Sequence, residues 1–176
     1  MPGTAAHGDQ SGHGIPIEHP AAVAADLERL CLRAAFADMT AEIAGLEGSW
    51  DAPTGYLDWT AKDLLAHLSS TQAALPAVAR SRADPVGSTA AEPFDSDRWN
   101  ASQVRRRKDL PAADLFAELT TVGDEMDGLL AELPLEEPIG SGPYAGATAE
   151  SAMRSMLDHQ RDHLAELRRS LAAASV

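Results

Sequence analysis

The chain has 176 residues, 44% hydrophobic but only 5% aromatic, enough for one domain whose core is mostly Ala, Leu and Val. That composition favours packed helices over a β-sandwich. A formal net charge of −13 repels phosphate backbones and anionic headgroups, which argues against nucleic acid and membrane surfaces as partners.

No apolar run reaches the length of a bilayer span. Cys31 is the only cysteine, so an intrachain disulfide and a sulfur-rich metal site are excluded. Its place in an apolar helical stretch predicts a small core residue. The first twenty residues carry neither a basic n-region nor an apolar h-region, and a cytoplasmic location is expected.

Residues 1–20 are rich in Gly, Pro, Ser and His and read as a flexible leader, with the folded domain over 21–176. His7, His13 and His19 lie in that leader, where no preorganised site forms. A first helix is expected over residues 21–46, with Leu32, Phe36, Met39, Ile43 and Leu46 as its buried stripe. Gly48 and Pro53 mark the loop that follows.

The second helix has a clear start. Thr60 is a good N-cap, Asp63 three residues on forms a variant capping box, and Trp59 and Leu64 are placed for a hydrophobic staple. Its apolar face is Ala61, Leu64, Leu65, Leu68 and Leu75, and Pro76 kinks it or begins its last turn. Residues 83–109 lose all periodicity and read as one long connection, which Phe94 and Trp99 pack back onto the domain. The basic run Arg105-Arg106-Arg107-Lys108 within it reads as a solvated edge.

A third helix is expected over residues 111–133, where Leu115, Leu119, Val122, Met126, Leu129 and Leu133 form a seam for shallow-angle packing. A fourth is expected over 148–173, with Met153, Leu157, Leu164, Leu167 and Leu171 buried. The pattern as a whole predicts an all-α four-helix bundle with a long connection between its second and third helices.

His159 and His163 are four apart, which sets two imidazoles one turn apart on one helix face. The pair alone is a common surface pattern, and His159-Gln160-Arg161-Asp162-His163 lacks the Glu of the zinc-protease motif. On the helical wheel His163 borders the apolar stripe and His159 lies slightly further out. His67 flanks the apolar arc of the second helix. Either it is a core-edge imidazole bonded to a carbonyl, or it joins the other two around one cation with positions left open.

The stretch Asp58-Trp59-Thr60-Ala61-Lys62-Asp63-Leu64-Leu65-Ala66-His67-Leu68 resembles a signature of the DinB superfamily, shared with the N-terminal domain of mycothiol-dependent maleylpyruvate isomerases. The ending His159 to Leu167 resembles the superfamily's second histidine motif, and Phe94 to Arg105 resembles its usual connection. The likeness spans about residues 25–172, with the motifs in the right order and spacing. It implies a DinB-type four-helix bundle with one divalent metal ion on His67, His159 and His163. Zinc is the default, with nickel, iron or manganese as alternatives. The isomerase branch often carries Glu at the position of His159, so this sequence sits nearer the three-histidine members.

The resemblance further implies a thiol S-transferase or isomerase acting on a small electrophile through a metal-bound thiolate. The Arg-rich, Lys-poor composition hints at a GC-rich genome and so at mycothiol as cosubstrate. Maleylpyruvate isomerisation itself is not expected, because the likeness does not extend to the further C-terminal domain of those isomerases. Two alternatives remain open: a metal-dependent hydrolase or resistance protein acting on a reactive natural product, and a non-catalytic metal- or ligand-binding bundle. Tyr56, Trp59, Asn100, Arg105 and Gln160 are the candidate substrate-pocket residues. The expected partner is a small molecule, and a homodimer is left open.

Overall fold

The computed structural model describes residues 20–81 and 94–174. The leader expected over residues 1–20 lies outside them, apart from Pro20. Among these residues five helices form: α1 Pro20–Ala44, α2 Ala61–Arg80, α3 Ser96–Arg107, α4 Ala112–Glu132 and α5 Ala149–Ala173, with a 3₁₀ turn at Gly142–Tyr144. Extended pairing among the described residues is confined to two isolated bridges, Pro53 with Thr60 and Pro138 with Thr148. The fold is all-α, as the composition predicts. No helix is long and apolar enough to cross a membrane among the described residues.

The four long helices pack in the pairs α1–α4, α4–α2, α2–α5 and α5–α1, and α3 leans on α2. Two apolar clusters fill the interior. One gathers Leu32, Phe36, Leu75, Leu130, Met153 and Leu157; the other gathers Met39, Ile43, Leu64, Leu68, Leu119 and Leu164. Between them lies a buried polar layer. Gln160 Nε2 donates to Gln72 Oε1 at 3.1 Å, and Gln72 Nε2 donates to Thr40 Oγ1 at 3.1 Å. On α2 and α5 the polar residue sits between one cluster and the other, and on α1 Thr40 lies beside Met39 at the near end of the second, so the hydrogen bonds tie α1, α2 and α5 in register.

Three expectations are corrected. The long connection between the second and third predicted helices contains α3, whose N-cap Asp95 accepts from Arg98 N at 2.9 Å. Its only buried residue is Val104, so no apolar stripe advertises it. Cys31 is exposed rather than in the core, because it falls one position, about 100° of helix, before the buried Leu32. On α4 the structure buries Leu130 completely in place of Leu129. A straight helix of 3.6 residues per turn drifts off a strict 3.5 repeat, and the buried face moves with it.

Candidate metal centre

His67 is placed by the start of α2. Thr60 Oγ1 accepts from Asp63 N at 3.2 Å, and Asp63 Oδ2 accepts from Thr60 N at 3.0 Å, which completes the expected capping box. Two turns on, His67 is only 1% exposed. Its ring lies 5.3 Å from that of Trp59, which packs on the same cluster as Leu64. On α5, His163 is buried and His159 half-buried, in the order the helical wheel predicts.

The three imidazoles converge. Ring centroids are 5.2 Å apart for His67 and His159, 5.0 Å for His67 and His163, and 4.4 Å for His159 and His163. A set of ligand nitrogens, one from each, lies within 4.8 Å of one another. His67 Nε2 and His159 Nε2 are 3.0 Å apart.

Burial is the main reason all three resist protonation. It pushes His67 down to about 3, helped by charge repulsion from His163 and His159. His163 falls to about 4 through burial and then His159, with Asp162 and Glu166 pulling the other way. His159 is lowered by burial, against the pull of Asp162.

These residues fit a divalent cation. All three rings are neutral near pH 7 and present lone pairs, the state in which histidine ligates metal. One N–H···N bond between two rings serves two nitrogens, whereas a cation serves three. Nitrogens on a tetrahedral zinc ion are roughly 3.3 Å apart, close to the observed 3.0 Å separation. His67 Nδ1 is buried without a partner among the described residues, so the Nε2 edge carries that ring's polar contact.

A cavity of about 260 Å³ opens beside the cluster. His67 and His159 line one side of it, while Phe94, Ser96, Trp99 and Asn100 come from α3 and the residues before it, and Gly142, Pro143 and Tyr144 from the 3₁₀ turn. His163 packs instead under Tyr56, at 5.0 Å between rings. The Tyr56 loop is pinned by Glu166 of α5, which accepts a hydrogen bond from Gly55 N; that bond and Arg169 hold the Glu166 carboxyl below its usual range.

The candidate pocket residues thus separate. Asn100 lines the cavity, while Tyr56 and Trp59 contact the histidine rings. Gln160 lies in the buried polar layer, and Arg105 is exposed at the end of α3; neither lines the cavity. Sequence pattern did not select Phe94, Trp99 and Tyr144 for the pocket. Their signal was scarcity: of three tryptophans, three phenylalanines and two tyrosines, these stand in or beside Gly-, Pro- and Ser-rich segments, away from the apolar stripes of the long helices.

Residues 32–167 match the family described as the mycothiol maleylpyruvate isomerase N-terminal domain. No curated protein and no solved structure compared with the chain gives a match. The family match spans all three histidines and the connection between them, the same regions that carry the motifs. The chain belongs to the mycothiol maleylpyruvate isomerase N-terminal domain family, a DinB-like domain.

Proposed function

We propose that the chain is an enzyme that transfers a low-molecular-weight thiol, mycothiol first among them, to a small electrophile, or isomerises through such an addition. The reading assigns His67, His159 and His163 as ligands of one divalent ion, with zinc the metal that three imidazoles without a redox task favour. When bound, the ion supplies a Lewis acid that lowers the pKa of a thiol. The observation that carries the reading is three neutral imidazoles opening, through His67 and His159, onto a cavity of about 260 Å³.

The chain's own part is positioning. Neutral imidazoles leave a bound ion's positive charge uncompensated, which favours an anionic sulfur beside it. Trp59 and Tyr56 cover His67 and His163 and restrict water. Asn100 offers an amide to orient the electrophile within the cavity; Arg105 and Gln160 take no part. In the transfer a sulfur–carbon bond forms as the electrophile's carbon–heteroatom bond breaks. The heteroatom keeps the electron pair and receives the thiol's proton, so no oxidant or reductant is consumed.

The test is conjugation of monochlorobimane by the zinc-loaded chain with mycothiol. Conjugation above background, lost in His67→Ala, is the expected result. No rate above background with any low-molecular-weight thiol overturns the reading. Turnover without thiol replaces it with hydrolysis, and one ion per chain with neither activity replaces it with a binding module.

A further inference from the structure

The cavity beside the histidines has a chemical character of its own. Its apolar wall is Leu75, Val78, Phe94, Trp99, Tyr144 and Met156. The polar groups that reach it besides the two histidines are neutral, Thr71, Ser96 and Asn100, and no Lys, Arg, Asp or Glu lines it among the described residues. A carboxylate entering this space would lose its hydration and meet no cationic side chain among the described residues, in a chain whose net charge is already −13.

We infer that the cavity binds an uncharged, flat aromatic or conjugated molecule, oriented by a neutral polar group on Asn100 or Ser96, in preference to a carboxylate of the same shape. The inference rests on the transferase reading only for the word substrate; as a ligand class it follows from the lining alone. Trp99 and Tyr144 supply ring faces and edges that a planar ligand packs against. The volume, about 260 Å³, lies just below the usual range for drug-sized ligands, about 300–1,000 Å³, and suits a single substituted ring.

The test compares methyl benzoate with benzoate, two probes of one shape that differ in charge, by calorimetric titration of the full chain. It is run on zinc-loaded protein and again after chelation, so that a carboxylate–metal contact cannot masquerade as cavity binding. The ester should bind at least tenfold more tightly than benzoate to the chelated chain. Trp99→Ala should weaken the ester about tenfold, and Ser96→Arg, at the exposed start of α3, should tighten benzoate and narrow or reverse the preference. Benzoate binding as tightly as the ester to the chelated chain overturns the inference. So does ester binding that Trp99→Ala leaves unchanged. Because binding is read without thiol, the two failures separate. Selective ester binding without conjugation sinks the transferase reading alone, and conjugation with a preference for benzoate sinks the ligand class alone.

Discussion

On one side of the cavity, His67 and His159 stand on α2 and α5, long helices that bury thirteen and eleven residues in the interior of the bundle. On the other, Phe94, Ser96, Trp99 and Asn100 are carried by α3 and the residue pair before it, a helix of 12 residues with Val104 as its only buried one. Apart from Val104, what holds α3 is polar. Arg107 donates from Nε to Glu118 Oε2 at 2.9 Å and from Nη2 to Glu118 Oε1 at 2.6 Å, and Ser69 of α2 donates to the same carboxylate. The histidine wall is fixed by apolar burial, the aromatic wall by one charged clamp. A metal site needs the first kind of rigidity, and a ligand cavity tolerates the second.

The largest expected effect breaks the histidine wall. His67→Ala should weaken zinc binding by at least about 100-fold, more than the loss typical of an outer-shell partner. Competition with a chromogenic chelator measures it, and circular dichroism checks that the helices persist. Zinc affinity that stays within about threefold of the parent would remove His67 from the ligand set.

The two walls should also part company in acid. An ordinary histidine titrates near 6.5, but His67 and His163 are held to about 3 and about 4. Below pH 6.5 the unfolded chain therefore takes protons that the folded chain refuses. Stability of the metal-free protein should fall from about pH 6.5 towards 4, by up to about 1.4 kcal/mol per pH unit for each such group, and these groups add no slope above pH 7. His67→Gln, which cannot titrate, should make that slope shallower. Glu118 behaves oppositely. The hydrogen bond and charge of Arg107 hold its carboxyl below 4.5, so the clamp's contribution is present above that pH and is lost only as the pH falls through the lowered value. Urea unfolding at several pH values checks both signs.

That contrast explains what could be read from sequence. Apolar positions at helical spacing exposed α2 and α5 directly, and the histidines at the border of each stripe stood out as candidates in the same pattern. The buried polar layer was half visible. Gln160 stands out as a polar residue on an apolar arc, but its partner Gln72 lies 88 residues away. Helix α3 was hidden because Arg107 finds Glu118 on another helix, and no local period encodes a contact of that kind. Its traces in sequence were electrical: Asp95 and Asp97 at its start and Arg105, Arg106 and Arg107 in its last turn, the charge order that a helix dipole favours. Short helices held by side-chain charge need that signal read alongside hydrophobic period.

Removing the clamp tests the aromatic wall alone. Arg107→Ala should cost about 1–2 kcal/mol in the docking of α3, the range for hydrogen bonds to a charged group that solvent partly reaches. Amide exchange across residues 96–107 should accelerate, and the affinity for a neutral aromatic probe should fall severalfold. Zinc affinity should not change, because no histidine depends on α3 for its place. A parallel loss of zinc would show that the walls are one unit.

The finest comparison sets two helix caps against each other. Thr60 caps α2 and Asp95 caps α3, each accepting a backbone hydrogen bond from three residues on. Replacing either with Ala should cost about 1 kcal/mol. The cost should surface in different observables. Because α2 is buried among α4 and α5, Thr60→Ala should lower the melting temperature of the whole domain by about 2–4 °C. Because α3 opens without the rest, Asp95→Ala should leave that temperature unchanged and raise amide exchange in α3 about 2- to 5-fold. Equal drops in melting temperature for the two variants would mean that α3 melts together with the bundle, and the aromatic wall would then be as rigid as the histidine one.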